Sequence, residues 1–469
     1  MIRFATTPDH LSRRAALQLS ACGFGYLAFA GMAGSANAAA DKTNPLAAKE
    51  PHFACKAKRV IFLCMNGGPS HVDTFDYKPQ LTKDNGKSPP AGKGRGFGAG
   101  TLLGSPWKFE QHGESGMWLS SLFPQLAKHA DKLCLLNGMH TNVPAHPQAF
   151  LQMHTGTSQF VRPSLGAWTL YGLGTQNQNL PGFVSVNPPT NNGGAQNYGS
   201  SFLPAIYQGT RIGGEGRFAT GAKVNNIANP KLSSDGQRAQ LDFIQELNKE
   251  QLVHDKVNPQ IDGVIESYEL AFRMQKDLPK VMDVSAETKD TLASYGIGDR
   301  GGSDDFGRQC LLARRFVEAG VRFVEITHGN WDQHRNLKTD MERHANAIDK
   351  PMAGLLADLK KRDMLKDTLV VWSGEFGRTP VAQGGDGRDH NNKGFSAWMA
   401  SGGVKGGLTY GKTDEYGFEA VEGKVHTHDF HATILHLLGL DHEKLTFKYA
   451  GRDFRLTDVH GRVVKEVIA

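Results

Sequence analysis

The stretch "LVVWSGEFGRTP", Leu369–Pro380, runs five largely apolar residues into a carboxylate, Glu375, and then into Gly377 and Arg378. A short apolar run bounded by polar, Gly-containing turns reads as a strand buried on both faces. Three other stretches share the form: "RVIFLCMNGG" (59–68), "KLCLLNGMH" (132–140) and "VRFVEITHGNWDQH" (321–334). Helical periodicity fills the intervals at 117–131, at 240–276 in two pieces, at 306–320 and at 337–364. Strands alternating with helices predict an α/β fold, a central, mostly parallel sheet flanked by helices. In such sheets ligands bind beyond the carboxyl ends of the strands.

That rule sorts the polar residues. The strand at 59–65 ends at Asn66 and leads to Ser70, His71 and Asp73, and the one at 132–140 leads to His140, Thr141 and His146. The strand at 321–328 runs into His328, Asp332 and His334. The strand at 368–374 runs into Glu375 and Arg378, with Asp389 and His390 following in "GGDGRDHNN". "VHTHDFHATILHLLGL" (425–440) places His426 and His428 just before a helix that Asp429 is suited to cap. A parallel sheet brings all of these to one edge. Imidazole with carboxylate and no thiolate suits Zn²⁺, Mn²⁺ or Fe, and a shell richer in carboxylate suits Mg²⁺ or Ca²⁺. One or two such ions stabilise charge in displacement at phosphorus or sulfur. Taken singly, each residue has a plainer reading: a solvated loop histidine, packing for His431 and His436, an Asx turn at Asp389. The set, ordered along four strand ends, argues for a site.

Length and composition bound the rest. At 469 residues, with 39% hydrophobic content, 25 Phe and 6 Trp, the chain can build a large core, and 55 Gly with 21 Pro imply many loops. "LSRRAALQLSACGFGYLAFAGMAGSANAAA" sets Arg13-Arg14 before a weakly apolar stretch and the cleavage-like Ala36-Asn37-Ala38. This reads as a twin-arginine export signal over residues 1–38, with a periplasmic or secreted product and the twin-arginine machinery as a partner. The stretch is too diluted by Gly, Ser and Gln for a stable membrane anchor. Removing it takes away Arg3, Arg13, Arg14 and Asp9, leaving 50 basic against 46 acidic residues. That balance is too mild to argue for nucleic acid. Cys55, Cys64, Cys134 and Cys310 have no short paired spacing and read as core thiols rather than disulfides or ligands. "KSPPAGKGRGFGAG" (87–100) lacks the spacing of a phosphate-binding loop and reads as a surface loop.

Five ordered motifs carry a resemblance: "FLCMNGGPSHVDTFDYKP", "GNWDQH", "GEFGRTP", "GRDHNN" and the tail "HDFHATILHLLGLDHEKLTFKYAGRDFRLTDVHG". Together, from about residue 48 to the C-terminus, they resemble an exported sulfatase-like family within the alkaline phosphatase superfamily. The resemblance implies an alkaline-phosphatase-like three-layer sandwich in residues 39–469, with insertions at about 80–115 and 185–300. It also implies one or two divalent metal ions (Zn, Ca, Mg or Mn) and hydrolysis of sulfate or phosphate esters on small molecules or glycans.

Carried over by position, the resemblance implies metal ligation at Asn66, His328, Asp332, His334, Glu375, His390 and His428, with His426 as the alternative to the last, and Asp389 beside His390 joins them as a candidate ligand from the strand-end reading. Asn66 stands where the superfamily has an aspartate, and Glu375-Phe376 where it has Asp-His, so His390 is the natural replacement for the lost histidine. Sulfatases open a helix with Cys or Ser and close it with Thr-Gly, and "HPQAFLQMHTG" (146–156) puts His146 at that place. Pro144 and Pro147 suit the first turn of such a helix, whose N-terminus is expected to face the metal. The catalytic candidates are His146, Thr141, His140 and Arg378, with Ser70 or a water molecule as other nucleophiles. The alternative function is a sulfatase-like protein without turnover that binds a sulfated or phosphorylated glycan.

Overall fold

The structure, a computed structural model, describes residues 44–93, 100–214, 229, 231–255 and 259–469. Contacts divide the chain into Met1–Asn44 and Pro45–Ala469, and all elements named below lie in the second unit. The export-signal reading at 1–38 and residues 94–99 of the Gly-rich loop lie outside the described residues.

The four apolar runs form strands at the places expected: β1 (Arg59–Met65), β2 (Leu133–His140), β5 (Phe323–His328) and β6 (Thr368–Gly374). With β3 (Phe183–Val186), β4 (Thr210–Ile212), β9 (Phe395–Ala400), β10 (Leu408–Tyr410) and β11 (Val425–His426) they make a nine-stranded sheet in the order β10-β2-β9-β6-β1-β5-β3-β4, with β11 added to β2. β9 runs antiparallel to both its neighbours, and every other pairing in the sheet is parallel. Helices flank the sheet as in the predicted three-layer sandwich. Every residue of β6 and β9 is buried, as is β1 after Arg59, which is why these runs read as unbroken apolar sequence rather than as alternation.

The helical periods at 240–276, 306–320 and 337–364 correspond to α3 (Ser234–Asp255), α4 (Pro259–Met282), α5 (Asp304–Glu318) and α6 (Leu337–Lys361); the helices expected near 144 and after His428 are α1 (His146–Thr155) and α7 (Thr427–Leu437), and α2 (Leu165–Leu173) lies outside those expectations. Two readings differ. Residues 117–131 form a strand, Met117–Ser120, and the start of a 3-10 helix, Leu126–Lys132, rather than one helix. There Met117, Leu119 and Ser120 are buried while Trp118 is half-exposed, an alternation that belongs to a strand. The stretch from about 185, read as an insertion, first contributes β4 and the end of β3 to the sheet and only then its helices. Cys64, Cys134 and Cys310 are buried free thiols and Cys55 is an exposed one; burial pushes the Cys134 thiol up to about 12.

Outside the sheet, β7 (Gly377–Gln383) and β8 (Gly387–Asn391) form an antiparallel hairpin directly after β6. A fully buried ion pair ties the hairpin to the segment after β1. Arg388 Nε donates to Asp73 Oδ2 at 2.7 Å and Arg388 Nη2 to Asp73 Oδ1 at 3.1 Å, while Ser70 Oγ donates to Asp73 Oδ2 at 2.5 Å. Removing one partner of such a pair strands a buried charge, which costs roughly 3–5 kcal/mol. We predict a loss of that order for Asp73→Ala in denaturant-induced unfolding, and a smaller one for Ser70→Ala.

Candidate metal centre

Four segments meet beyond the carboxyl edge of the sheet: the turn after β1, the start of α1, the loop after β5, and the β7–β8 hairpin. Their approach depends on glycine. At Gly67, with φ of 118°, a Cβ would lie 2.6 Å from the backbone N of Trp331 and 2.8 Å from that of Asp332. At Gly387 a Cβ would lie 2.0 Å from the carbonyl of His334. The loop that carries Asp332 and His334 therefore rests directly on backbone at both places.

Asp332 Oδ1 is the focus. His146 Nε2 lies 3.1 Å from it, His334 Nε2 2.9 Å, His390 Nε2 3.2 Å and Arg378 Nη2 2.5 Å. His146, Asp332, His334 and His390 each offer a ligand atom, all within 4.8 Å of one another. The other nitrogen of each ring has an acceptor. His146 Nδ1 donates to Glu375 Oε1 at 2.6 Å, His390 Nδ1 to the carbonyl of Pro144 at 2.7 Å, and His334 Nδ1 to Gln383 Oε1 at 2.5 Å. Because carboxylates and carbonyls only accept, these contacts place a proton on every Nδ1 and turn every Nε2 inward. His334 Nε2 and His390 Nε2 stand 2.9 Å apart, so two lone pairs face each other there unless a proton or a cation lies between them.

The surroundings set the charges. Glu375 is wholly buried and accepts from the backbone N of Gly67 with both oxygens, at 2.9 and 3.1 Å. Burial opposes a charged imidazole at His146, but its hydrogen bonds to Asp332 and Glu375 prevail and push its pKa up to about 9. Burial likewise opposes charge on Asp332, yet His146, His390 and Arg378 hold its carboxyl far below the usual range. Three imidazole nitrogens and one carboxylate oxygen, each ring oriented through its second nitrogen, fit a divalent cation of the zinc type.

The other expected residues lie elsewhere. Arg378, expected to be catalytic, is fully buried and saturated: it donates to the carbonyls of Gly67, Gly68, Trp331 and Arg388 as well as to Asp332. His328, at the end of β5, turns into an aromatic box of Phe306, Trp331 and His344, where its Nδ1 accepts from Trp331 Nε1 at 3.0 Å and burial lowers its pKa to about 3. Asn66 Oδ1 accepts from Asn192 Nδ2 at 2.9 Å. Asp389 stands at the rim, its Oδ1 3.9 Å from His334 Nδ1.

Thr141 Oγ1 donates to Gln152, His71 Nε2 to the carbonyl of Gly417, and Ser70 is held by Asp73. His140, His426 and His428 form a separate group described below. α1 begins at His146 with Pro147 in its first turn and ends at Gly156, φ 74°, so its N-terminus delivers His146 to the cluster. Gln383, Gly67 and the Pro144 carbonyl are site contributors that the sequence reading did not single out. A glutamine at a strand end and a backbone carbonyl leave no local signal.

The His146 pairing implies a pH dependence. Its folded pKa of about 9 exceeds the ordinary value of 6.5, so in metal-free protein the pairing stabilises the fold fully below about pH 6.5 and is lost as pH rises through about 9. We predict that metal-free protein loses up to about 3 kcal/mol of unfolding free energy between pH 6.5 and 9.5, and that His146→Ala flattens this decline.

Among solved structures, the chain is similar to a sulfatase from Pseudoalteromonas sp. (14% identity, 83% of this chain and 68% of that one, TM-score 0.34). It is also similar to the lipoteichoic acid synthase LtaP from Listeria monocytogenes (8% identity, 88% and 78%, TM-score 0.35). A third is the TAB5 alkaline phosphatase (12% identity, 82% and 99%, TM-score 0.33). At such identities and scores the likeness says nothing of activity. No curated protein matches the chain. No described helix is long and apolar enough to cross a membrane. A family model described as "Protein of unknown function (DUF1501)" matches residues 57–468, and the chain belongs to that family.

Proposed function

We propose that the protein is a metal-dependent hydrolase of sulfate or phosphate esters, exported in folded form, with His146, His334, His390 and Asp332 holding one divalent ion. The observation that carries the reading is the convergence of three imidazole Nε2 atoms on Asp332 Oδ1 while every Nδ1 is tied to an acceptor. A donor set of three nitrogens and one oxygen favours Zn²⁺, Mn²⁺ or Fe²⁺ over Mg²⁺ and Ca²⁺, which take oxygen ligands. Such an ion, when bound, polarises an ester oxygen and makes water a better nucleophile.

The chain's own groups do the rest. Glu375 holds the proton at His146 Nδ1 and so keeps Nε2 inward. Arg378 neutralises Asp332 from behind and fixes Oδ1 in place. Asp332 remains 42% exposed, and its four close contacts all fall on Oδ1, so Oδ2 is the oxygen available to orient a water molecule. Ser70 and Thr141 are buried and committed to other partners, and His146 gives Nδ1 to Glu375 and turns Nε2 into the ligand cluster, 3.1 Å from Asp332 Oδ1. Water is therefore the better nucleophile, and His146 serves as a ligand. The absence of a free hydroxyl among these candidates equally favours the second reading, a binding protein without turnover for sulfated or phosphorylated glycans.

Metal analysis of purified protein, followed by a panel of aryl sulfate and aryl phosphate esters, separates the readings. A hydrolase contains about one equivalent of metal and turns over at least one ester class; metal without turnover of any ester supports the binding protein. Glu375→Gln weakens the hold on His146, and we predict a 10- to 100-fold loss of metal affinity with the fold retained. Unchanged metal content with lowered stability would make Glu375 a purely structural partner. His146→Ala loses the metal if His146 is a ligand, whereas a 10²–10⁴-fold loss of activity with metal retained would restore it as a chemical group.

A further inference from the structure

A second histidine group stands apart from the first. β11 pairs with β2 in parallel, with His426 opposite His140, and α7 follows at once. The cleft beside these ends has a volume of about 510 Å³ and is lined by Asn142, His426, His428, Asp429, His460 and Arg462 among others. It belongs to the same edge of the sheet as the metal cluster. Asn142 precedes His146 by four residues, a span of at most about 14 Å, and Pro144 between them supplies the carbonyl that orients His390.

The hydrogen bonds assign the protons. The backbone N of His428 donates to His426 Nδ1 at 3.2 Å, so His426 carries its proton on Nε2 and donates to Asn142 Oδ1 at 2.9 Å. That leaves the Asn142 amide N–H groups for the cleft. His428 Nε2 donates to the carbonyl of Gly156 at 2.7 Å, which makes His428 Nδ1 an acceptor. Among the described residues this nitrogen has no hydrogen-bond partner although His428 is only 5% exposed, a buried acceptor left for a donor to fill. The His460 ring lies parallel to that of His428, 5° between planes and 5.1 Å between centroids, and gives the cleft a flat wall.

The cleft is also electrically quiet. Burial, with neighbouring imidazoles, lowers the pKa of His426 to about 4, and burial lowers that of His428, so both rings are neutral at pH 7. Asp429 is spent on the backbone N–H groups of His426 and Arg462, and the Arg462 guanidinium is directed toward Glu466 and the Lys424 carbonyl, 3.5 Å from each. The charges lining the cleft are thus one carboxylate tied to backbone N–H groups and one guanidinium turned toward Glu466 and the Lys424 carbonyl, and the imidazoles of His426 and His428 add none. An uncharged ring bearing adjacent hydroxyls can donate to His428 Nδ1, accept from Asn142, and lay a C–H face on His460.

We propose that this cleft is the subsite for the hydroxylated, uncharged part of the substrate, a sugar ring, whose sulfate or phosphate ester lies at the metal cluster. The proposal rests on the hydrolase reading for its ester, but binding of the ring does not depend on turnover. Full-length protein with ¹³C-labelled histidine is titrated with unesterified glucose, galactose and N-acetylglucosamine while the His428 and His460 ring signals are followed. At least one sugar is expected to shift both, with the apparent affinity falling three- to tenfold in Asn142→Ala and in His460→Ala, two exposed positions whose variants are checked for folding by circular dichroism.

In the activity arm, Asn142→Ala is expected to raise KM for a sugar 6-sulfate or 6-phosphate three- to tenfold more than KM for the matching 4-nitrophenyl ester. No shift with any of the three sugars overturns the subsite, as does a shift produced by inorganic sulfate or phosphate instead. Ring shifts in a protein that cleaves no ester overturn the hydrolase reading and leave the subsite standing.

Discussion

A guanidinium without solvent, Arg378, holds the molecule's working edge together. Its N–H groups reach four backbone carbonyls, those of Gly67, Gly68, Trp331 and Arg388, and the carboxylate of Asp332. Those carbonyls belong to the turn after β1, the loop after β5 and the hairpin strand β8, so one planar fork fixes three segments that the sheet alone would leave as independent loops. A buried cation needs a counter-charge, and Asp332 supplies the directly paired one. The carboxylate around which the three imidazoles gather is thereby pinned from behind and left partly open in front.

The second buried arginine completes the frame. Arg388 clamps Asp73 with two hydrogen bonds, which seats the β7–β8 hairpin on the segment after β1 and carries His390 and Gln383 into place. The hairpin lies close enough to the Asp332 loop only because Gly387 has no Cβ to meet the His334 carbonyl, and the loop lies close to β1 only because Gly67 has none to meet Trp331. These are steric conditions on the site, imposed at positions that take no part in its chemistry.

Two groups of histidines share one edge and differ in chemistry because carboxylates were placed differently. Around Asp332, imidazoles meet a carboxylate oxygen directly and Glu375 supports His146 from behind, so positive charge is favoured at His146. Around His426 and His428, the nearest carboxylate, Asp429, is used up in capping α7 and in holding the backbone of Arg462, and the rings stay neutral. The first arrangement suits a cation and the second suits hydroxyl groups.

The sequence by itself determined the layers. Runs such as "RVIFLCM" and "TLVVWSG" are apolar throughout because layers cover both faces of their strands, and that pattern is readable one segment at a time. It also placed His146, Asp332, His334, Glu375 and His390 at strand ends and at a helix start, since the carboxyl edge of a parallel sheet is a property of topology. What it did not determine was which of the polar residues at that edge face one another. His328 sits at a strand end as fully as Asp332 does, yet turns into Phe306 and Trp331, while Arg378 is buried as a strut. Gln383 and the Pro144 carbonyl, which fix two of the three rings, have nothing local to mark them. Side-chain direction at a loop is decided by close backbone approach and by buried charge pairing between segments up to about 300 residues apart, and only the tertiary structure brings those segments together.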